Sequence, residues 1–505
     1  MLTTNPLRAG PAERLAPPAT FAIFGATGDL AQRKLLPALY NLYLDGLLPE
    51  AFALVGIGRR PGSDEHYREA TLQAIQQFSR RAVDPARWPR FARFLHYWQM
   101  DPSDGTAYEQ LARWLAILDV SAETQGNRVF YLATPPSLFP VIVRHLGAAG
   151  LAEERGAFAR LVIEKPFGHD LASARELNAV VNAVFAEHQV YRIDHYLGKE
   201  TVQNILVFRF GNGIIEPIWN RRYVDYCQIT VAESSGIGSR AGFYEETGAL
   251  RDVVANHMMQ LVALVGMEPP LDLQADSVRD EKVKLLRAIQ PLGPAQFTNV
   301  VRGQYTAGWI GGEWVPGYRE EPGVAPDSQT ETFVALKLLV ENWRWAGVPF
   351  YLRHGKRLPR RVTEIAIQFK EPPRQFFSEA DGGRPPPNVL VLRIQPDEGI
   401  SLRFVAKGPG PALTPREVTM DFRYATSFDR DPPEAYERLL LDCLNGDSTL
   451  FARRDEIEAM WAIFDQVLHH QREDPALALH FYPAGTWGPA EADHLLQREG
   501  RAWRT

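Results

Sequence analysis

Phe21-Ala22-Ile23-Phe24 is a short apolar run, as a strand buried on both faces of a parallel sheet would be, and it runs straight into Gly25-Ala26-Thr27-Gly28-Asp29-Leu30-Ala31. Leu35, Leu36, Leu39, Tyr40, Leu42 and Tyr43 then recur at helical spacing. Strand, glycine turn and helix is the context that a dinucleotide-binding βαβ unit requires. Gly25 permits the tight turn, Gly28 lets backbone N–H groups approach a pyrophosphate at the helix N-terminus, and Ala31 is small enough for close helix–strand packing. The spacing is G-x-x-G-x-x-A and not the usual G-x-G-x-x-G, and glycine turns before helices are common. The reading therefore depends on the strands downstream.

Those strands follow. Phe52 to Gly58 is a second apolar run, and it ends in Arg59-Arg60. An NAD site usually places an acid there for the ribose 2′-hydroxyl. This chain offers two arginines and no acid until Asp64. Residues 65 to 125 read as amphipathic helices with a short strand near Phe94 to Tyr97. Val129 to Ala133 is a third clear strand, ending at Thr134-Pro135-Pro136, where a proline pair stops pairing and shapes a rigid lip. Leu161 to Ile163 is another, and it delivers Glu164-Lys165-Pro166 to the sheet edge that faces the ligand crevice. The Lys165-Pro166 peptide is a candidate for the cis form. A helix from Leu171 to Ala186 leads to Val190.

The next stretch is Asp194-His195-Tyr196-Leu197-Gly198-Lys199-Glu200. It holds two acids, an imidazole, a phenol and an amine, and little in it can fill a core. Converging donors of this kind suit a phosphate or a sugar ring, although a solvated surface loop would also carry such charges. This block resembles the substrate-binding motif of the glucose-6-phosphate dehydrogenase family, and the Gly25–Ala31 turn is similar to that family's glycine motif. The resemblance runs in blocks from Phe21 to Tyr482. It implies oxidation of D-glucose 6-phosphate at C1 to 6-phospho-D-glucono-1,5-lactone, the first step of the oxidative pentose phosphate pathway. NADP would be the hydride acceptor and NAD a weaker alternative. It places Gly25, Thr27, Gly28, Asp29, Leu30, Arg59, Pro135 and Lys165 at the cofactor, with Arg59 on the 2′-phosphate. Lys165 also reaches the substrate, as do His195, Tyr196 and Lys199.

At 505 residues the chain is too long for one compact core. We expect a leader over 1–20, rich in proline and without an apolar core, a Rossmann-type α/β domain over 21–200, and a larger α+β domain over 201–505 for substrate binding and oligomerisation. In the second domain, Tyr223 to Ala232, Thr332 to Val340, Thr363 to Phe369, Asn388 to Ile394 and Ser401 to Ala406 read as strands. Their short connections predict a mainly antiparallel sheet. Helical runs at 248–266, 433–445 and 454–469 are expected to cover it.

Gly248 to Gln260 reads as a helix with Leu250, Val254, His257 and Leu261 on one stripe. A histidine on such a stripe is usually a core histidine. Here the block resembles the family's general-base helix, which implies that His257 removes the C1 hydroxyl proton and that Asp194 holds its ring. Asp252 does not share the His257 face of an ideal α-helix, so it is assigned to sugar hydroxyls together with Glu233. The resemblance also brings Lys356 and Arg361 to the substrate.

Two departures stand out. Residues 234–239 lack the expected acid before Arg240, and Phe243-Tyr244 stands where the family often has tyrosine first. The net charge of -6 argues against a nucleic-acid partner, and no apolar run is long enough to span a bilayer. Cys227 and Cys443 show no metal-ligand spacing, no metal is required, and a cytoplasmic location is expected. The resemblance implies a homodimer or homotetramer built through the second sheet. Two rival readings remain at this point: another sugar or inositol dehydrogenase sharing the Glu164-Lys165-Pro166 motif, and an NADP-binding sensor without turnover.

Overall fold

The computed structural model describes residues 15–377, 385–427 and 433–504. The chain forms two compact units. One holds the chain up to Gly198 together with Pro270–Asp280 and Pro433–Glu458; the other holds Lys199–Pro269, Glu281–Pro432 and Ala459–Thr505. The units change over between Gly198 and Lys199. The expected second domain, 201–505, is not continuous, because two later segments return to the first unit. Most of the expected leader lies outside the described residues, and Ala19 and Thr20 already belong to the first strand.

The first unit is a parallel sheet built from β1 (Ala19–Phe24), β2 (Phe52–Gly58), β3 (Leu95–Gln99), β4 (Arg128–Leu132), β5 (Ala159–Ile163) and β6 (Val190–Ile193). Their spatial order is β6-β5-β4-β1-β2-β3, with a two-residue strand, Phe451–Ala452, antiparallel on the outer edge of β6. Every residue of β1 and β2 is buried, as strands covered on both faces must be. The strand order reverses between β1 and β4. The crevice beyond their carboxyl ends is therefore the ligand site that such a sheet provides.

The helix Ala435–Asn445 was expected over the second sheet and belongs instead to the first unit. Its Glu437 accepts from Asn41 Nδ2 at 2.8 Å and from Arg80 Nε and Nη2, both at 2.8 Å. Arg160 Nη1 donates to the carbonyls of Cys443 (2.8 Å) and Leu444 (2.6 Å) at the helix C-terminus, the first of which Gly446 N also reaches at 3.2 Å.

The second unit is organised on a nine-stranded sheet. Its strands are β7 (Val224–Ala232), β8 (Val300–Thr306), β11 (Phe333–Leu339), β12 (Pro349–Gly355), β13 (Val362–Phe369), β14 (Val389–Gln395), β15 (Gly399–Lys407), β16 (Pro415–Arg423) and a last strand, Leu479–Pro483. A separate hairpin joins β9 (Gly308–Ile310) to β10 (Glu313–Val315). The order is β16-β15-β14-β13-β7-β12-β11-β8 and then Leu479–Pro483. Neighbours are antiparallel except β7 with β12 and β8 with Leu479–Pro483. Those two parallel pairs join segments far apart in sequence, where a long connection removes the need for a hairpin. An aromatic cluster of Tyr305, Tyr318, Phe333, Tyr351, Tyr482 and Trp503 fills part of the core.

The expected α-helix over 248–260 is replaced by a π-helix, Leu250–Met258, followed by an α-helix, Met259–Gly266. Gly248 breaks the chain before it, at φ 62° and ψ -178°. Glu331 caps the start: its carbonyl accepts from Ala249 N at 2.9 Å and its Oε1 from Leu250 N at 3.1 Å. A carboxylate at a helix N-terminus is favoured by the exposed N–H groups and the helix dipole. Glu331 is itself fixed by Arg302 Nη2 at 3.1 Å, and both side chains are buried.

Candidate active site

On the first unit, the glycine turn closes against the end of β4. Gly25 N donates to Ile57 O and Gly28 N to Gly25 O, each at 2.9 Å. Gly25 has φ 84°, and a Cβ there would lie 2.5 Å from Ala133 O. No larger residue could bring the turn this close to the Ala133-Thr134-Pro135 edge. Pro135 is exposed at that edge. The helix that follows opens at Asp29 and Leu30, passes through a π-helical turn (Ala31–Leu35) and continues as Leu36–Leu44. Thr27 sits in the turn, and Asp29 pairs with Arg33 at 2.9 Å.

Arg59 and Arg60 are both exposed at the end of β2. Asp64, the nearest following acid, is engaged elsewhere: its carboxylate accepts from Tyr97 N at 2.8 Å and contacts His96 Nδ1 at 3.2 Å. Asp101, just past β3, lies near Arg59 and accepts from Ser103 N at 2.9 Å and Ser103 Oγ at 2.7 Å.

Lys165 lies just past the end of β5 and leads into a cis Lys165-Pro166 peptide, the isomer considered from the sequence. The residue before it, Glu164, was not singled out. It is buried and accepts from the phenols of Tyr131 and Tyr436 (3.0 Å for the latter). Burial pushes its carboxyl above the usual carboxylate range, against the pull of both phenols and of Lys165. Tyr436 lies on the helix Ala435–Asn445, a segment far downstream that no local pattern connects to Lys165.

The fingerprint begins where β6 ends. Asp194 is buried; its Oδ1 accepts from Tyr196 N at 3.0 Å and its carbonyl from Leu197 N at 3.0 Å. This turn sets His195 and Tyr196 side by side, with ring centroids 5.2 Å apart. Gly198 is required for packing: a Cβ there would lie 2.6 Å from Ala435 O.

On the second unit, Lys199 opens the helix Glu200–Phe210. Its Nζ donates to Gln395 Oε1 at 2.7 Å, and Arg361 Nη2 approaches the same oxygen at 3.3 Å. Two predicted substrate residues thus meet on one amide at the end of β14. Gln395 was missed; the available signal was a polar side chain terminating an apolar strand.

Glu233 and Lys356 also come together. Lys356 Nζ donates to Glu233 Oε2 at 2.7 Å, and the backbones interlock through Glu233 N to Gly355 O (3.0 Å) and Leu358 N to Glu233 O (2.9 Å). Burial would raise the Glu233 carboxyl, but Lys356 and His354 outweigh it and hold it below its usual range, with Asp252 opposing them. His354, also missed, is fully buried, with Nδ1 2.7 Å from Val231 O. Burial pushes its imidazole down to about 4.

His257, Asp252 and Asn256 lie on the π-helix, all buried. Asn256 Nδ2 reaches back to Arg251 O at 2.6 Å, an i to i−5 contact. A π-helix has an i to i−5 ladder and more residues per turn, so residues five apart come closer to one face than in an α-helix. Asp252 and His257 are such a pair, so the ideal-α-helix reason for separating their faces does not hold.

A dinucleotide crevice on one unit and a cluster of buried acids, a histidine and paired cations on the other define an NADP-dependent oxidoreductase. The domain family described as "Glucose-6-phosphate dehydrogenase, NAD binding domain" matches residues 22–204, and "Glucose-6-phosphate dehydrogenase, C-terminal domain" matches 206–504. The chain belongs to the glucose-6-phosphate dehydrogenase family. It is 50% identical to glucose-6-phosphate 1-dehydrogenase 2 of Mycobacterium bovis over 99% of this chain and 98% of that one. It is 46% identical to the Bacillus subtilis glucose-6-phosphate 1-dehydrogenase over 96% and 98%. A solved glucose-6-phosphate dehydrogenase in complex with glucose 6-phosphate superposes with a TM-score of 0.88 at 34% identity, covering 97% of this chain and 99% of that chain. Among the described residues no helix is long and apolar enough to cross a membrane.

Proposed function

We propose that this chain oxidises D-glucose 6-phosphate at C1 to 6-phospho-D-glucono-1,5-lactone and passes the hydride to NADP, with His257 as the general base and Asp194 as the group that orients it. NADP supplies the hydride acceptor when bound. The rest is the work of the chain's own residues. His257 removes the C1 hydroxyl proton, and Asp194 fixes the imidazole tautomer and stabilises the imidazolium. His195, Tyr196, Lys199 and Arg361 hold the phosphate by charge-assisted hydrogen bonds, while Glu233 and Asp252 accept from sugar hydroxyls. Lys165 and Lys356 contact the substrate. Gly25, Thr27, Gly28, Asp29, Leu30 and Pro135 shape the dinucleotide crevice, and Arg59 takes the 2′-phosphate.

The observation that carries this reading is the meeting of Lys199 and Arg361 on the Gln395 amide oxygen, two cations brought to one point, with Glu398 near Lys199. Such a pair favours a doubly charged phosphate over a neutral hydroxyl. The two cysteines are buried free thiols, in keeping with a reducing cytoplasm. The exposed strand β16 is a sheet edge suited to homo-oligomer pairing.

Initial rates of nicotinamide reduction with glucose 6-phosphate, using NADP and NAD side by side and unphosphorylated glucose as control, test the reaction. Fast reduction with NADP that collapses without the phosphate supports it. NADP binding without reduction overturns it in favour of a sensor.

A further inference from the structure

Lys356 is almost completely buried, at 1% exposure, and Glu233 takes one of its three N–H donors at 2.7 Å. Its ammonium also lies 5.2 Å from the centroid of the Tyr244 ring. That distance is within the range of cation–π attraction, which is strongest where water is excluded. A ring face stabilises the charge without consuming a directed N–H, so donors stay available for a substrate oxygen.

The helix that carries the ring is tied down. Tyr244 sits on the helix Ala241–Ala249, and its neighbour Glu245 locks that helix in place. Glu245 Oε1 accepts from Tyr318 Oη at 2.5 Å and from Ser328 Oγ at 2.7 Å, and Glu245 O accepts from Thr330 Oγ1 at 3.1 Å. Tyr318 meets the Tyr244 ring edge-on at 6.1 Å. The Tyr244 hydroxyl is buried and finds no hydrogen-bond partner among the described residues. Burial, with Asp252 and Glu233, pushes this phenol well above its ordinary value, so it stays neutral. The contact with the Lys356 ammonium is made by the ring.

We propose that Tyr244 is a positioning residue for substrate binding, its ring face fixing the Lys356 ammonium in the site. This rests on the reading of Lys356 as a substrate contact. The departure in the sequence falls on Phe243, and the ring that meets the lysine belongs to its neighbour Tyr244.

The test compares Tyr244→Phe, Tyr244→Leu and Lys356→Met by KM for glucose 6-phosphate, kcat, KM for NADP and Tm. Tyr244→Leu should raise the sugar phosphate KM about five- to thirtyfold, with kcat and the NADP KM held within about threefold. Tyr244→Phe should keep the low KM and the Tm, because it keeps the ring face. Equal impairment in Tyr244→Phe and Tyr244→Leu would overturn the role of the ring, as would a Tyr244→Leu loss confined to kcat. A Lys356→Met variant with raised KM beside an unaffected Tyr244→Leu rejects the inference and leaves the lysine reading standing. An unaffected Lys356→Met rejects the lysine reading itself. Should Tyr244→Leu fail to fold, Tyr244→Met fills the space without a ring face and carries the same test.

Discussion

At the scale of single residues, charge and burial divide the work. His257 is buried on a helix and can act as a base only if it is neutral at rest and stabilised when charged. His257→Asn should lower kcat by about 10²–10⁴-fold, the range general bases supply, while NADP still binds. Fluorescence titration of the cofactor alongside single-turnover rates separates these, and retained turnover would remove His257 from the role. Arg59 acts at the other end of the reaction, on cofactor choice. It is exposed at the end of β2, where Asp64 is bound to β3 and Asp101, close enough to feel the Arg59 charge, accepts from Ser103. Arg59→Ala should cost roughly 1.5–3 kcal/mol of NADP binding, about ten- to a hundredfold, and little for NAD. Parallel isothermal titrations with both cofactors would decide it; an equal loss for each would sink the assignment.

At the scale of elements, the helix that carries Asp252 and His257 depends on a glycine. Gly248 sits at φ 62°, and a Cβ there would come 2.5 Å from Glu331 Oε1, the cap of the π-helix. Gly248→Ala should cost about 2–3 kcal/mol and reduce kcat as well, because relief of the clash must shift either the cap or the helix. Gly347 offers the comparison: φ is 83°, but nothing lies within 4 Å of its Cβ position. Gly347→Ala should cost only about 1–2 kcal/mol and spare kcat. Melting curves with steady-state rates would show the contrast, and a Gly248→Ala enzyme with normal kcat would disconnect the cap from the site. The same helix marks where sequence reading stops. Apolar recurrence locates Leu250 to Leu261, but it does not separate an i+4 from an i+5 ladder over two turns, so the π-helix was read as α. Strand β2 was legible to its ends because every residue in it is apolar or glycine. Strand β8 was not, since Arg302 and Gln304 interrupt its pattern. Both are buried and donate to Gln471 O, Leu477 O, Ser328 O and Thr330 O, partners no local window contains. Gln395, Glu164 and Tyr436 escaped for the same reason: their meaning comes from residues distant in sequence.

At the scale of the whole molecule, the buried polar cluster around Glu233 and Lys356 makes stability depend on pH. His354 is the group to watch. It faces Glu233, Lys356 and Asp252 from a fully buried position, and its value falls from 6.5 to about 4, chiefly through burial. Between those values the unfolded chain takes up a proton that the folded chain refuses. Stability therefore rises with pH across that window, is complete above it, and is lost as pH falls from about 6.5 toward 4. From about pH 7.5 to about pH 5 this one group should remove about 2 kcal/mol. Glu233 contributes with the same sign but at lower pH, because its carboxyl is held below the usual range and gives up its stabilisation only as it protonates. His354→Asn keeps a donor for Val231 O and deletes the titration. Its Tm will be lower overall for the lost ring volume, but the Tm difference between the two pH values should shrink by a few degrees relative to the unaltered chain. Scanning calorimetry of both proteins at both pH values measures that difference directly. If the gap is the same in both, the acid sensitivity resides in other groups and His354 is only a packed ring.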